Sequence, residues 1–213
     1  ELSAPSAAWL LTRVAVALDL VPGLAHGGVS PDSILLNGEG EIEVRDLGVL
    51  ALGARAGMGA KNEVVAGYCA PEVIDGSAPT ASASVFALGA CVYEALMGER
   101  PFRGRTMMAN VVHAKMGKFQ RIGEERAPAE LRDLVHRMLS AEPAERPMLA
   151  ELTREGAKLA WRDGRPADLG AMVREWLPQG EPVPEGTETP ENGSASLARD
   201  TSPSVPLPPE PSA

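Results

Sequence analysis

Apolar residues recur at helical spacing along most of the chain. Leu10, Leu11, Val14, Leu18 and Val21 fall about every 3.6 residues in an Ala-rich run, which predicts a helix with one buried face over about 7–21. Val85, Leu88, Val92 and Leu96 repeat the spacing. So do Leu131, Leu134, Val135, Met138 and Leu139, following Pro128. One short stretch changes period. Ile34-Leu35-Leu36, then Asn37-Gly38, then Ile42 and Val44 alternating with Glu41, Glu43 and Arg45, predicts a hairpin with Asn-Gly near its turn. Leu169, Met172, Val173, Trp176 and Leu177 predict a last amphipathic helix. Beyond Pro178 the periodicity stops, and no repeat of 20–50 residues indicates a solenoid.

Composition sharpens this picture. In 213 residues, 44% apolar and 23% charged side chains suffice for a packed core. Residues 178–213 are the exception: they hold 9 of the 19 prolines, with six acids against one base, and so carry −5 of the net −9. Such a segment buries too little to offset its chain entropy and is expected to be disordered; Pro206–Pro211 has the composition of a polyproline II ligand or a plain linker. An overall acidic chain argues against nucleic acid as the main partner. Cys69 and Cys91 make no disulfide framework, and no run of about 18 apolar residues offers a membrane segment. A cytoplasmic protein is expected. The chain opens Glu1-Leu2-Ser3 without an initiator Met, and reads as a piece of a longer protein.

The chemistry-bearing residues lie in the first half. His26-Gly27-Gly28-Val29-Ser30-Pro31-Asp32-Ser33 precedes the hairpin. Asp46-Leu47-Gly48 follows it, then Ala70-Pro71-Glu72, Ser84–Gly89, Gly98-Glu99-Arg100-Pro101-Phe102 and Arg146-Pro147. In this order they resemble the catalytic loop, magnesium motif, activation-segment end, central helix and late Arg of the large, C-terminal lobe of eukaryotic-type Ser/Thr protein kinases. The resemblance implies a mainly α lobe, a helical bundle with a short β-hairpin, over 1–162. An appended helix at 163–177 and the acidic tail at 178–213 follow.

What the resemblance implies about chemistry is mostly loss. The family's His-Arg-Asp, its Lys two residues after the Asp and its Asn five after it correspond to His26, Gly27, Gly28, Ser30 and Ser33. That Asp orients the substrate hydroxyl, the Lys steadies the transferring phosphoryl group and the Asn holds a second magnesium. Gly28, Ser30 and Ser33 supply none of the charge involved. Asp32 is the nearest carboxylate, but the family's acidic residue there has no catalytic duty; His26 corresponds to a residue that packs beneath the loop. Asp46 keeps the position of a magnesium ligand, and implies binding of ATP and Mg in the full-length protein. The Gly-rich piece 53–59 follows that motif and reads as activation segment rather than phosphate loop. Between Asp46 and Gly67 there is no Ser, Thr or Tyr to phosphorylate, and Val65 stands where the family commonly has a Thr. The position that reads such a phosphate is Gly27.

Glu72 and Arg146 correspond to a buried structural ion pair. Ser84 replaces the helix Asp that braces the catalytic-loop backbone, so that brace is expected to be gone. The reading is a pseudokinase that acts through binding to protein partners, with the activation segment 49–66, the groove near Gly104–Lys118 and the tail as its surfaces. The alternatives are an active Ser/Thr kinase transferring ATP phosphate with its small lobe upstream, and a switch that binds ATP without transfer.

Overall fold

The computed structural model describes residues 1–20, 25–49, 67–162, 165–166 and 168–176. The expected activation segment, with Val65, lies almost wholly outside these residues, and so does the tail.

The chain begins with α1 (Ala4–Asp19). It starts three residues earlier than the apolar spacing predicts, because Ser3 caps it: the Ser3 hydroxyl accepts from Ser6 N at 3.3 Å, and Pro5 sits in the first turn where no N–H is needed. Leu11, Val14, Ala15 and Leu18 form its buried face. The loop 25–30 leads through a 3-10 turn at Pro31–Ser33 into β1 (Ile34–Leu36), which pairs antiparallel with β2 (Ile42–Val44) in the register Ile34↔Val44, Leu35↔Glu43, Leu36↔Ile42. The turn is Asn37–Glu41. Asn37 Oδ1 organises it by accepting from Glu39 N and Glu41 N.

A short α2 (Pro71–Ile74) precedes α3 (Ala81–Met97), the centre of the fold. Every residue from Ala83 to Tyr93 is buried, so this helix is apolar all round and must be enclosed on every side. Thr80 caps its start, and Gly98 ends it in the left-handed region at φ 74. Then follow α4 (Met107–Lys115), α5 (Ala129–Met138) and α6 (Leu149–Ala160). Leu131, Leu134, Val135 and Met138 turn the apolar face of α5 into the core, against α3. The broadest helix pairing is α1 with α6. At Gly156 a Cβ would lie 2.5 Å from Thr12 Oγ1 and 2.7 Å from Leu11 Cδ2, so the close crossing requires a glycine. Phe102 stacks on Phe86 at 5.5 Å, and Phe119 packs edge-on to both Phe102 and Tyr93.

A two-residue bridge, β3 (Trp161–Arg162) with β4 (Arg165–Pro166), leads to α7 (Leu169–Trp176). Leu169 is buried, and Arg174 donates to Gly38 O in the hairpin turn. The last helix therefore rests on the hairpin. The architecture is mainly α with small two-stranded sheets, as the sequence implies.

Candidate functional site

The loop His26–Ser33 is held almost entirely by neutral groups. His26 is 3% exposed, and its Nε2 donates to Arg45 O at 2.7 Å, which ties the loop to the end of β2. Nδ1 of the same ring is buried without a partner among the described residues. Gly27 N donates to Ser84 Oγ at 2.9 Å, and that hydroxyl donates onward to Thr80 O. The sequence-based expectation that the brace had been lost with the Asp is therefore wrong. A hydroxyl oxygen in the first turn of α3 still accepts the loop's N–H, and only the negative charge has gone.

Two thiols grip the loop from the core. Cys69 Sγ points to Gly27 O at 3.8 Å and Cys91 Sγ to Val29 O at 3.7 Å. Burial, with Glu72 nearby, pushes the Cys69 thiol up to about 12; burial and Glu94 push Cys91 up as well. Both stay protonated, remain weak donors, and are free rather than bridged.

Within the loop, Ser30 and Ser33 are buried and the space beside Gly27 is filled. Gly27 adopts φ +70, and a Cβ there would sit 2.3 Å from Pro79 Cβ. An arginine in this conformation would strain the backbone and force Pro79 to shift. Ser30 and Ser33 are 4% and 3% exposed. The Ser33 hydroxyl accepts from Ser30 N at 3.0 Å and donates to Ser30 O at 2.9 Å, so it is committed inside its own turn. Asp32 lies on the exposed side of that turn. Asp46 is exposed and adopts φ +62, a left-handed conformation that Asp tolerates better than most residues.

This donor set does not suit a magnesium–nucleotide site of the family's kind. Asp46 is the single carboxylate at the expected position, and the second expected donor is turned inward. Among the described residues no group of three or more His, Cys, Asp or Glu could hold a metal ion.

The contrast lies on the far side of the loop. Arg146, its side chain fully buried, uses all five N–H donors: Nη1 and Nη2 reach the two Glu72 carboxylate oxygens at 2.6 and 2.9 Å, and the others reach Ser82 O, Ala141 O and Ser140 O. Its guanidinium also lies 4.8 Å from the Phe86 ring centre. The pair fixes α2 to the start of α3 and to the loop after α5.

Sequence reasoning missed the thiol contacts and the clash at Pro79, since both depend on partners 42 to 62 residues away or on backbone angle. Among the described residues no helix is long and apolar enough to cross a membrane.

Comparison with known proteins identifies the family. The chain is 28% identical over 200 residues to the serine/threonine-protein kinase PknK of Mycobacterium tuberculosis, covering 89% of this chain and 17% of that protein. It is 30% identical over 162 residues to the 3-phosphoinositide-dependent protein kinase 1 of Arabidopsis thaliana, covering 69% and 32%. Over 136 residues it is 31% identical to the inactive serine/threonine-protein kinase PLK5 of Mus musculus, covering 62% and 22%. The chain thus spans between about a sixth and a third of the length of these relatives. Residues 18–156, from the end of α1 through most of α6 and including both the neutral loop and the Glu72–Arg146 pair, match the protein kinase domain, and the chain belongs to that family.

Proposed function

We propose that this chain is the large lobe of a pseudokinase, a kinase-fold module that works by binding rather than by phosphoryl transfer. The observation that carries the reading is the loop 26–33. Its base, lysine and metal-ligand positions are Gly28, Ser30 and Ser33, and the one hydroxyl at a ligand position is spent on Ser30. Phosphoryl transfer depends on positioned charge, and removing one such group typically lowers the rate by about two to three orders of magnitude. Here three positions are neutral together. One relative, the mouse PLK5 protein, is itself named inactive, which is consistent with loss of chemistry on this fold.

Asp46 supports a second reading, a switch that binds nucleotide without transferring phosphate. It is exposed on the turn after β2 in a conformation that costs energy to hold. Against it stands the missing second ligand. An active Ser/Thr kinase, as other relatives are named, requires a base from outside the loop.

Incubation with radiolabelled Mg-ATP and generic protein substrates distinguishes these. The expected result is no label above background. Label that depends on Mg-ATP and vanishes in Asp46→Ala overturns the pseudokinase reading, whereas label indifferent to Asp46→Ala betrays a contaminating kinase. Changing Gly28→Asp alone is not expected to create activity, because residues that act as a unit recover function only together.

A further inference from the structure

Three hydroxyls in the chain have an arginine three positions before them: Thr106, Ser140 and Ser202. Thr106 alone has a second arginine immediately before it, in Arg103-Gly104-Arg105-Thr106. The structure separates the three further. Ser140 is half-buried, its hydroxyl donates to Glu145, and its Arg137 is held by Glu151. Ser202 lies outside the described residues. Thr106 is exposed, and so are Arg103 and Arg105. Its backbone is extended, at φ −139 and ψ 158, a conformation that an enzyme cleft can line as it would a strand. The approach to it is shaped by its own contacts: Gly104 N donates to Asn110 Oδ1, and His113 Nδ1 donates to Arg103 O at 3.0 Å. Residues 100–123 contain no Asp or Glu, and the nearest acid before Thr106, Glu99, is paired with Arg103.

We propose that Thr106 is a phosphorylation site for a separate, arginine-directed Ser/Thr kinase, and that the phosphate fastens the first turn of α4. In the transfer, Thr106 Oγ1 attacks the γ-phosphorus of ATP held by that kinase. The bond to ADP breaks, and the hydroxyl proton passes to that kinase's carboxylate base. The same side chain already caps α4 by accepting from Ala109 N at 3.2 Å. The product puts a charge of about −1.5 to −2 and three acceptor oxygens at that cap. Arg105 and the N–H groups of Met108 and Ala109 receive them; Arg103 joins by leaving Glu99, an exposed pair of little strength in water. The contrast with the activation segment is direct. Between Asp46 and Gly67 there is no hydroxyl to mark and the reading arginine is replaced by Gly27, whereas residues 103–106 hold mark and arginines together. The inference treats the chain as a substrate and does not rest on the loss of chemistry in the loop 26–33. A reaction without added kinase reports on that loss alone, so either can fail by itself.

The test incubates the whole chain with labelled Mg-ATP and a purified Ser/Thr kinase that requires arginine at −3, and maps the label by tandem mass spectrometry. Label on Thr106 is expected, lost in Thr106→Ala and restored in Thr106→Ser. Arg103→Ala should lower the initial rate about tenfold, the worth of a lost charge-assisted hydrogen bond. In the phosphorylated chain, exchange of the Met108 and Ala109 amides should slow about two- to fivefold, and Arg105→Ala should weaken that slowing. The substituted side chains are exposed, and circular dichroism melting checks that each variant folds. No label on Thr106, label confined to Ser140 or to residues 178–213, or a rate indifferent to Arg103→Ala overturns the site. Amide exchange unchanged by the phosphate overturns its role at α4.

Discussion

Arg146 and Gly27 flank the same central helix, and they have met opposite fates. Arg146 is a full charge enclosed by protein, with five hydrogen bonds and an aromatic face around it. Gly27 stands where the family carries an arginine, and nothing here calls for that charge; a proline side chain occupies the space. Glu72 and Arg146 stabilise the fold, because each leaves a stranded partner if lost. The catalytic-loop charges serve only a reaction. A neutral loop with its backbone satisfied is at least as stable as a charged one. Structural and chemical residues of one family can thus be told apart by asking which groups the fold itself leaves unpaired.

The comparison breaks most visibly at Arg146. Arg146→Ala should remove about 3–5 kcal/mol of unfolding free energy in urea titration, a large part of a typical domain's stability. A midpoint like that of the parent would dissolve the contrast. The next effect tests whether the loop is truly closed. Gly27→Arg should cost about 2–3 kcal/mol, from the left-handed backbone and from the contact with Pro79, and Pro79→Ala should recover part of that loss in the same titration. A smaller change is expected for Ser84→Ala, about 1–2 kcal/mol, because it strands the buried Gly27 N–H; slowed exchange of that amide in the parent and fast exchange in the variant would identify the cause.

The smallest effect concerns pH. His136 Nε2 accepts from Ile122 N at 3.1 Å, and burial first, then Arg121, hold its pKa below the ordinary 6.5; Arg132 acts in the same sense and Asp133 opposes it. The unfolded chain therefore binds a proton that the folded one resists. Stability from this group is present above about pH 6.5 and declines as pH falls below it. His136→Gln, which keeps an acceptor for Ile122, should flatten that slope in melts taken across the range.

Much of this was legible in the sequence, and the omissions have physical causes. The large apolar residues of α1, α3 and α5 announced those helices, and the ordered motifs announced the family. α6 was missed because its buried face includes Gly156 and Ala160, which carry little apolar signal but let α1 approach closely. α4 was missed because Met108, Val112 and Met116 point outward, so a reading that assigns them to a core looks for the wrong face. The loop's composition was plain. That Ser84 still accepts a hydrogen bond, that two thiols hold the loop's carbonyls, and that Pro79 fills the space beside Gly27 are facts of distance and angle that no spacing in the chain encodes.

The contact between position 27 and Pro79 also bears on history. A lineage that once lost the arginine could regain it by a single substitution as long as the space stayed open. With proline seated against the backbone, that single step passes through a destabilised protein, and the way back needs a prior change at 79. The route to an arginine at position 27 is therefore ordered: a change at 79 comes first, and the sequence of the two substitutions decides whether the intermediate stays folded.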